Sequence, residues 1–268
     1  MELLVPVRDL KQARVVFDLG VDAIYIGVKG LCRFEEKAVT VSECIRILEY
    51  AGNIPGKKVH LALNRIPDSV RIRQFFDTLK DLAAKGASSV ILNDIGLIQE
   101  VRLRFPGIFI TLSIGSAPFN IEEVKFLQGF GLNRVILPYS ASLKQIILIK
   151  ENSGIEIELF VESFKGFTPL QRCFTFTGKC YISSYYRQVA RDKSLVFGSA
   201  KRGGCFKPCL DNYGLQKRKI SLMQQPAYSE IDIKDALPYI SALKIGGGMS
   251  FIKLKDRINS VLKIIKQN

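Results

Sequence analysis

Four cysteines in one stretch are the residues of this chain best suited to chemistry: Cys173, Cys180, Cys205 and Cys209, spaced C-x6-C-x24-C-x3-C. Grouped thiolates bind zinc tetrahedrally or hold an iron–sulfur cluster. Cys205 and Cys209 have the tight spacing of one half of a structural zinc site, whereas Cys173 and Cys180 stand further apart. Spacing therefore leaves the metal open between iron–sulfur and zinc. The competing reading is a set of buried thiols packing an aromatic lobe. It is disfavoured because four of the six cysteines fall within 37 residues.

The surroundings are cationic. Between residues 163 and 220 there are 12 Lys or Arg and 2 acids, Asp192 and Asp211, in a chain whose formal net charge is +14. Such an excess speaks of partners rather than fold, and favours nucleic acid, anionic metabolites or an acidic membrane surface. Arg172, Lys179, Arg202 and Lys207 flank the cysteines and are the candidate residues for drawing in an anionic substrate. Ten aromatic residues interleave with the charges, Phe164, Tyr181, Tyr185 and Phe206 among them. Rings beside cations bind single-stranded RNA. An aromatic core with solvated charges outside would produce the same pattern, and the two readings weigh about equally.

The elements that must position this chemistry are short and regular. Apolar, β-rich runs recur at residues 3–7, 23–27, 59–64, 90–94, 109–113, 135–139, 158–162 and 242–246, with helical periodicity between them. Their continuous Val, Ile and Leu character suits parallel strands covered on both faces. Residues 69–85 show the helical stripe plainly in Ile72, Phe75, Phe76, Leu79, Leu82 and Ala83, with Asp68 placed as its cap. Gly20, Gly86 and Gly131 each follow a helical stretch and precede a strand, where a left-handed residue is common. Eight such units predict a TIM-barrel-like (β/α)8 fold, with a doubly wound open sheet as the alternative.

One connection breaks this rhythm. About 70 residues separate the seventh strand from the next helix, where a handful is usual. The expected domains are therefore a barrel of residues 1–162 and 231–268, and a cysteine-rich basic insertion of residues 163–230 hung from the C-terminal rim. Asn64, Asp94, Ser113, Glu162 and Lys244 fall at predicted strand C-termini, where barrel enzymes carry their catalytic groups. Any one of them could instead cap a helix, Asp94 above all. Gly246, Gly247 and Gly248 could cradle a phosphate, but a tight turn is the simpler reading because no phosphate fingerprint extends the run.

Other chemistries are poorly served. The single histidine, His60, lies inside an apolar run, nothing near it in sequence reads as a triad, and no H-E-x-x-H motif is present. Proteolysis is therefore disfavoured. No run of about eighteen apolar residues is present, and the first residues lack the basic flank and apolar core of a secretory signal. The expectation is a cytoplasmic protein without a transmembrane segment, whose thiols stay reduced.

The pattern Cys173-x6-Cys180, Tyr181-Ile182-Ser183-Ser184-Tyr185 and Gly204-Cys205-x3-Cys209 resembles the cysteine motif of the collagenase-like peptidases, family thirty-two of unknown catalytic type. The opening Glu2-Leu3-Leu4-Val5-Pro6 and Gly20-Val21-Asp22-Ala23-Ile24-Tyr25-Ile26-Gly27 are similar to that family too, as are Asn64, Asp94 and Ser113 through Asn120. The resemblance implies a barrel-like fold with a 4Fe-4S cluster on the four cysteines. It also implies oxygen-independent hydroxylation, either of an RNA base with prephenate as oxygen source or of a ubiquinone precursor by a pair of related proteins acting together. Two departures stand out. The family's Lys-Ile-Glu-Gly-Arg appears as Lys244-Ile245-Gly246-Gly247-Gly248, and its Ser-Thr-Gln-Ala as Ser113-Ile114-Gly115-Ser116. Cys32, after the second strand, matches the position of a substitute fourth ligand in one ubiquinone-branch relative. Cys44 sits among Ile47, Leu48 and Ala51 as a core residue.

Overall fold

Eight parallel strands close on themselves in the computed structural model, which describes residues 1–138, 141–161, 212–215, 218–221, 230–247 and 249–267. Along the chain run β1 (Glu2–Pro6), α1 (Leu10–Asp18), β2 (Ala23–Gly27), α2 (Val41–Gly52), β3 (Lys58–Leu63) and α3 (Ile72–Ala84). There follow β4 (Ser89–Leu92), α4 (Ile95–Arg104), β5 (Phe109–Leu112), α5 (Ile121–Gly129), β6 (Arg134–Ile136), α6 (Leu143–Ser153) and β7 (Glu156–Phe160). After a two-stranded hairpin of β8 (Asn212–Leu215) and β9 (Arg218–Ser221) come α7 (Glu230–Ala236), β10 (Ala242–Lys244) and α8 (Phe251–Lys266).

The barrel order is β1-β10-β7-β6-β5-β4-β3-β2. Because β1 pairs with both β2 and β10, the sheet has no edge, and the open doubly wound arrangement is ruled out. This is the expected (β/α)8 barrel. Strand limits differ at the ends: the sixth begins at Arg134 and the seventh at Glu156, so charged residues enter both strands.

The chain divides into two compact units, Met1–Ser163 with Tyr228–Asn268, and Phe164–Ala227. Within the second, the described part is the antiparallel pair β8 and β9, in register from Asn212 opposite Ser221 to Leu215 opposite Arg218. The four insertion cysteines, the four basic residues beside them, Glu162 and Gly248 lie outside the described residues. Among the described residues no helix is long and apolar enough to cross a membrane.

The barrel strands are parallel and covered on both faces, as their composition suggests, but the inner face is partly polar. Leu3, Val5, Ile24, Ile26, Leu61, Leu63, Val90 and Leu92 belong to one core shared with the helices. Alternate residues turn inward, and there the barrel buries Glu2, His60, Ser89, Thr111, Arg134, Glu158 and Lys244. A closed barrel tolerates this because charges of opposite sign meet across its interior.

Local signals explain the helices. Asp9, Thr40, Asn120, Ser142 and Ser250 accept backbone N–H groups at the starts of α1, α2, α5, α6 and α8. Gly20, Gly86 and Gly131 take φ of 88°, 93° and 90°, as their place after helices leads one to expect. Helix α3 starts with its apolar stripe at Ile72, later than a cap at Asp68 implies. Asp68 accepts from the Arg71 N–H at 3.0 Å and closes the preceding turn, and Ile72 is left exposed.

Candidate functional site

The C-terminal ends of the barrel strands gather the candidate residues unequally. Lys244, the last residue of β10, lies level with Phe160 on β7 and Leu4 on β1. Its side chain is buried, with Nζ 3.1 Å from Glu158 Oε1 and 4.2 Å from the centre of the Tyr25 ring. Phe160 covers it at 5.7 Å, and the Tyr25 hydroxyl donates to the Ile245 carbonyl at 3.0 Å. Burial pushes the Lys244 amine below its ordinary value of 10.5, and the Glu158 carboxylate only partly restores it. The result is an ammonium in a partly aromatic enclosure with one carboxylate partner, suited to proton exchange.

Three other candidates have identifiable roles at the rim. Asn64 Oδ1 accepts the Arg33 N–H at 3.0 Å, tying the loop after β2 to the end of β3. Asp94 caps α4, with Oδ1 accepting from the Gly96 N–H at 2.9 Å, so its helix-cap reading is the one the geometry fits. Ser113 is buried just past β5, and its N–H donates to the Leu92 carbonyl at 2.6 Å. Its hydroxyl has no hydrogen-bonding protein partner among the described residues, which leaves it available to a ligand.

Asn93, one residue before Asp94, was not singled out by sequence. It shares inward parity with Ser89 and Ile91, and is 4 % exposed. Gly115 faces it so closely that a Cβ there would overlap the Asn93 carboxamide. The departure at Ser113-Ile114-Gly115-Ser116 thus has a packing reason: Asn93 fills the space a side chain at 115 would need. The Ser116 hydroxyl donates to the Asn93 backbone carbonyl at 2.6 Å and holds the two segments together.

At the opposite, N-terminal end a second set of charges meets. Arg134 touches Glu2 at 2.8 Å, Glu156 at 2.6 Å and Glu158 at 3.3 Å, and stacks 5.0 Å from the Phe109 ring centre. Lys58 reaches Glu2 at 3.0 Å. Burial alone would raise the Glu2 carboxyl, but contact with His60 and the Arg134 charge outweigh it and hold the group well below the usual carboxylate range. Burial alone would lower the Arg134 guanidinium, but Glu158 and Glu2 hold it above its ordinary value. Sequence hid this floor because its residues come from β1, β3, β4, β6 and β7. The legible signal was a charged residue inside an apolar run, Glu158 being the plainest.

The floor also contains a triad-like line that sequence spacing did not reveal. Ser89 Oγ lies 2.6 Å from His60 Nδ1, and His60 Nε2 lies 3.0 Å from Glu2 Oε1, poorly aligned for a hydrogen bond. All three are buried, with His60 only 2 % exposed, and Glu2 is already shared with Arg134 and Lys58. A nucleophile needs room for a carbonyl and an oxyanion site beside it. A buried Ser89 beneath the barrel has neither, so the line is a structural hydrogen-bonded floor.

Of the two described cysteines, Cys44 is core, as expected, and burial pushes its thiol up to about 12. Cys32 is buried against Gly27, where an added Cβ would lie 2.8 Å from its Sγ, and burial raises it to about 11. Both are neutral thiols, and among the described residues no three His, Cys, Asp or Glu side chains form a metal-binding group. The loop turn at Gly247 accepts Arg8 Nη2 at 3.3 Å, a contact that fits a tight turn.

Against known proteins, residues 8–264 match the family model described as Peptidase family U32. The chain is 31% identical over 219 residues to tRNA hydroxylation protein P of Escherichia coli (strain K12), covering 81% of this chain and 45% of that protein. It is 28% identical to the 23S rRNA 5-hydroxycytidine C2501 synthase of the same organism, covering 81% of this chain and 30% of that one. The chain thus spans less than half the length of either relative. Among solved structures, the U32 peptidase Mk0906 superposes with a TM-score of 0.58 at 12% identity, covering 93% of this chain and 94% of its own, a likeness of fold. The family match runs over nearly the whole chain, and the closed barrel agrees with it in fold: the chain belongs to Peptidase family U32.

Proposed function

We propose that this protein takes part in the oxygen-independent hydroxylation of an RNA base. The observation that carries the reading is its similarity, over 81% of its length, to proteins named for tRNA hydroxylation and for rRNA hydroxycytidine synthesis. The barrel is compatible with it. A buried amine with a depressed pKa, Lys244, stands beside a carboxylate and two aromatic rings, and can give or take a proton at Nζ more readily than a surface lysine. Ser113 is buried just past β5, and Asn64 and Asp94 hold the loops that frame the mouth. Glu162, named from its place after the seventh apolar run, belongs to the same proposed set.

Cys173, Cys180, Cys205 and Cys209 would hold a 4Fe-4S cluster. Four thiols are the donor set such a cluster takes, and the described cysteines offer no competing set. The cluster would supply one-electron chemistry or, with an iron position open, a Lewis acid. Arg172, Lys179, Arg202 and Lys207 would attract the phosphate backbone, and such contacts make binding fall steeply with salt. Oxygen would come from a donor other than O2, prephenate by the family resemblance. The peptidase in the family's name is disfavoured, since the chain's single histidine sits in the barrel floor.

Anaerobic purification with iron and sulfide analysis, together with mass spectrometry of RNA from cells lacking the gene, tests the reading. Iron with matching sulfide and the loss of one hydroxylated nucleoside, restored by the wild-type gene, are expected. Zinc without iron, or an unchanged nucleoside profile, overturns it.

A further inference from the structure

Asn93 is a buried polar side chain whose carboxamide oxygen has no hydrogen-bond partner among the described residues. The residue is 4 % exposed, and the orphaned atom is Oδ1. Folding normally pairs such groups, and a buried amide left alone requires a reason. The chain also keeps the amide from relaxing elsewhere. A side chain at Gly115 would collide with it, and the Ser116 hydroxyl anchors its backbone at 2.6 Å. On the next strand Thr111 Oγ1 is fully buried and likewise unpaired among the described residues, with Ser113 two residues further along on the same inward face. Two neighbouring strands thus hold unspent hydrogen-bonding capacity, Asn93 just past β4 at the end of the barrel where ligands bind and Thr111 deeper, level with Ile91 and Arg134.

A carboxamide presents a donor and an acceptor side by side in one plane. Its natural complement is a planar edge carrying an acceptor beside a donor, as on a nucleobase, and such paired contacts discriminate between bases. Enzymes that modify a base draw it out of the stack and read that edge in a pocket. We propose that Asn93 is the residue by which this barrel reads the hydrogen-bonding edge of the target base, with Gly115 as the gap that lets it stand there. Rotation of the amide by half a turn presents the reverse order, so Asn93 accommodates either a uridine or a cytidine edge. This inference rests on the RNA reading above, and concerns specificity rather than the hydroxylation step.

The test uses the full-length protein and three single-stranded RNAs of equal length, one of uridines, one of cytidines and one abasic. Wild type is expected to bind the base-bearing RNAs more tightly than the abasic one. In Asn93→Leu that advantage falls roughly ten- to hundredfold, the loss of one bidentate contact, while abasic binding and its salt dependence stay as in wild type. In Asn93→Asp, an acceptor only, one hydrogen bond of the pair is lost to either base, so the advantage falls for both the uridine and the cytidine RNA. Thermal melting separates reading from structure: Asn93→Leu is expected to melt at or above the wild-type temperature, since it removes an unpaired buried amide. A lower melting temperature with the base advantage intact would make Asn93 a packing residue and overturn the inference while leaving RNA binding standing. Failure of wild type to bind any of the three RNAs would instead sink the RNA reading itself, and the inference with it.

Discussion

Lys244 Nζ and Glu158 Oε1 stand 3.1 Å apart inside a closed barrel, on adjacent strands β10 and β7, with Arg134 at 3.3 Å from the same carboxylate. One buried anion therefore answers two buried cations, and Glu2 supplies the second anion that Arg134 needs. Removing water from these groups is costly, and only mutual pairing offsets it. Chemistry at the mouth and stability at the floor are thus linked through Glu158.

Substituting Glu158→Gln is expected to destabilise the protein by about 3–5 kcal/mol, the range for breaking a buried pair from one side. Denaturant unfolding measures it. The double variant Glu158→Gln, Lys244→Met should recover part of the loss, because the stranded ammonium is gone. Additive losses would show that the two residues are not coupled.

Acid stability should report Glu2. Its folded carboxyl is held below its ordinary value of 4.5, so its contribution is present above that value and is lost as pH falls towards the folded one. In that window wild type is expected to lose stability more steeply than Glu2→Gln, although the variant starts lower at neutral pH. Urea midpoints measured from pH 6 downward give the two slopes. Equal slopes would remove Glu2 from the acid response.

Ser89→Ala tests the triad-like line at the floor. The loss of one hydrogen bond to His60 is expected to cost about 1 kcal/mol, seen as a small fall in melting temperature. RNA binding should be unchanged, and no proteolytic activity should appear or vanish with it. A change in substrate turnover without a change in stability would mark Ser89 as functional.

Cys205→Ser tests the proposed cluster. Iron and sulfide in the anaerobically purified variant are expected to drop well below wild type, with loss of the cluster's visible absorbance. Cys32→Ser should leave both unchanged, because a buried neutral thiol held at about 11 is not a ready ligand. Full iron in Cys205→Ser, or its loss in Cys32→Ser, would redraw the ligand set.

The order of β and α units was legible because each helix needs an apolar stripe and each strand a short β-branched run, and both are local patterns. Asp9, Thr40 and Ser142 announce helix starts by the same local logic. Lys244 and Ser113 are candidates by sequence because they fall at the ends of apolar runs, positions that a barrel directs to its mouth. Asp94 could not be separated from a cap by sequence, since the same residue type serves both purposes.

Pairing across the barrel was decided only in three dimensions. Glu2, His60, Ser89, Arg134 and Glu158 are scattered from the first strand to the seventh, and strand parity with closure is what brings them into one interior. Asn93 is a single polar residue in an apolar run until Gly115 is seen to make room for it. By itself the sequence determined the repeating units, the cationic cysteine-rich segment and the thiol spacing, because composition and periodicity are written along the chain. Tertiary structure decided which inward-facing groups are paired and which are left unpaired among the described residues, because that depends on distances between residues far apart in sequence.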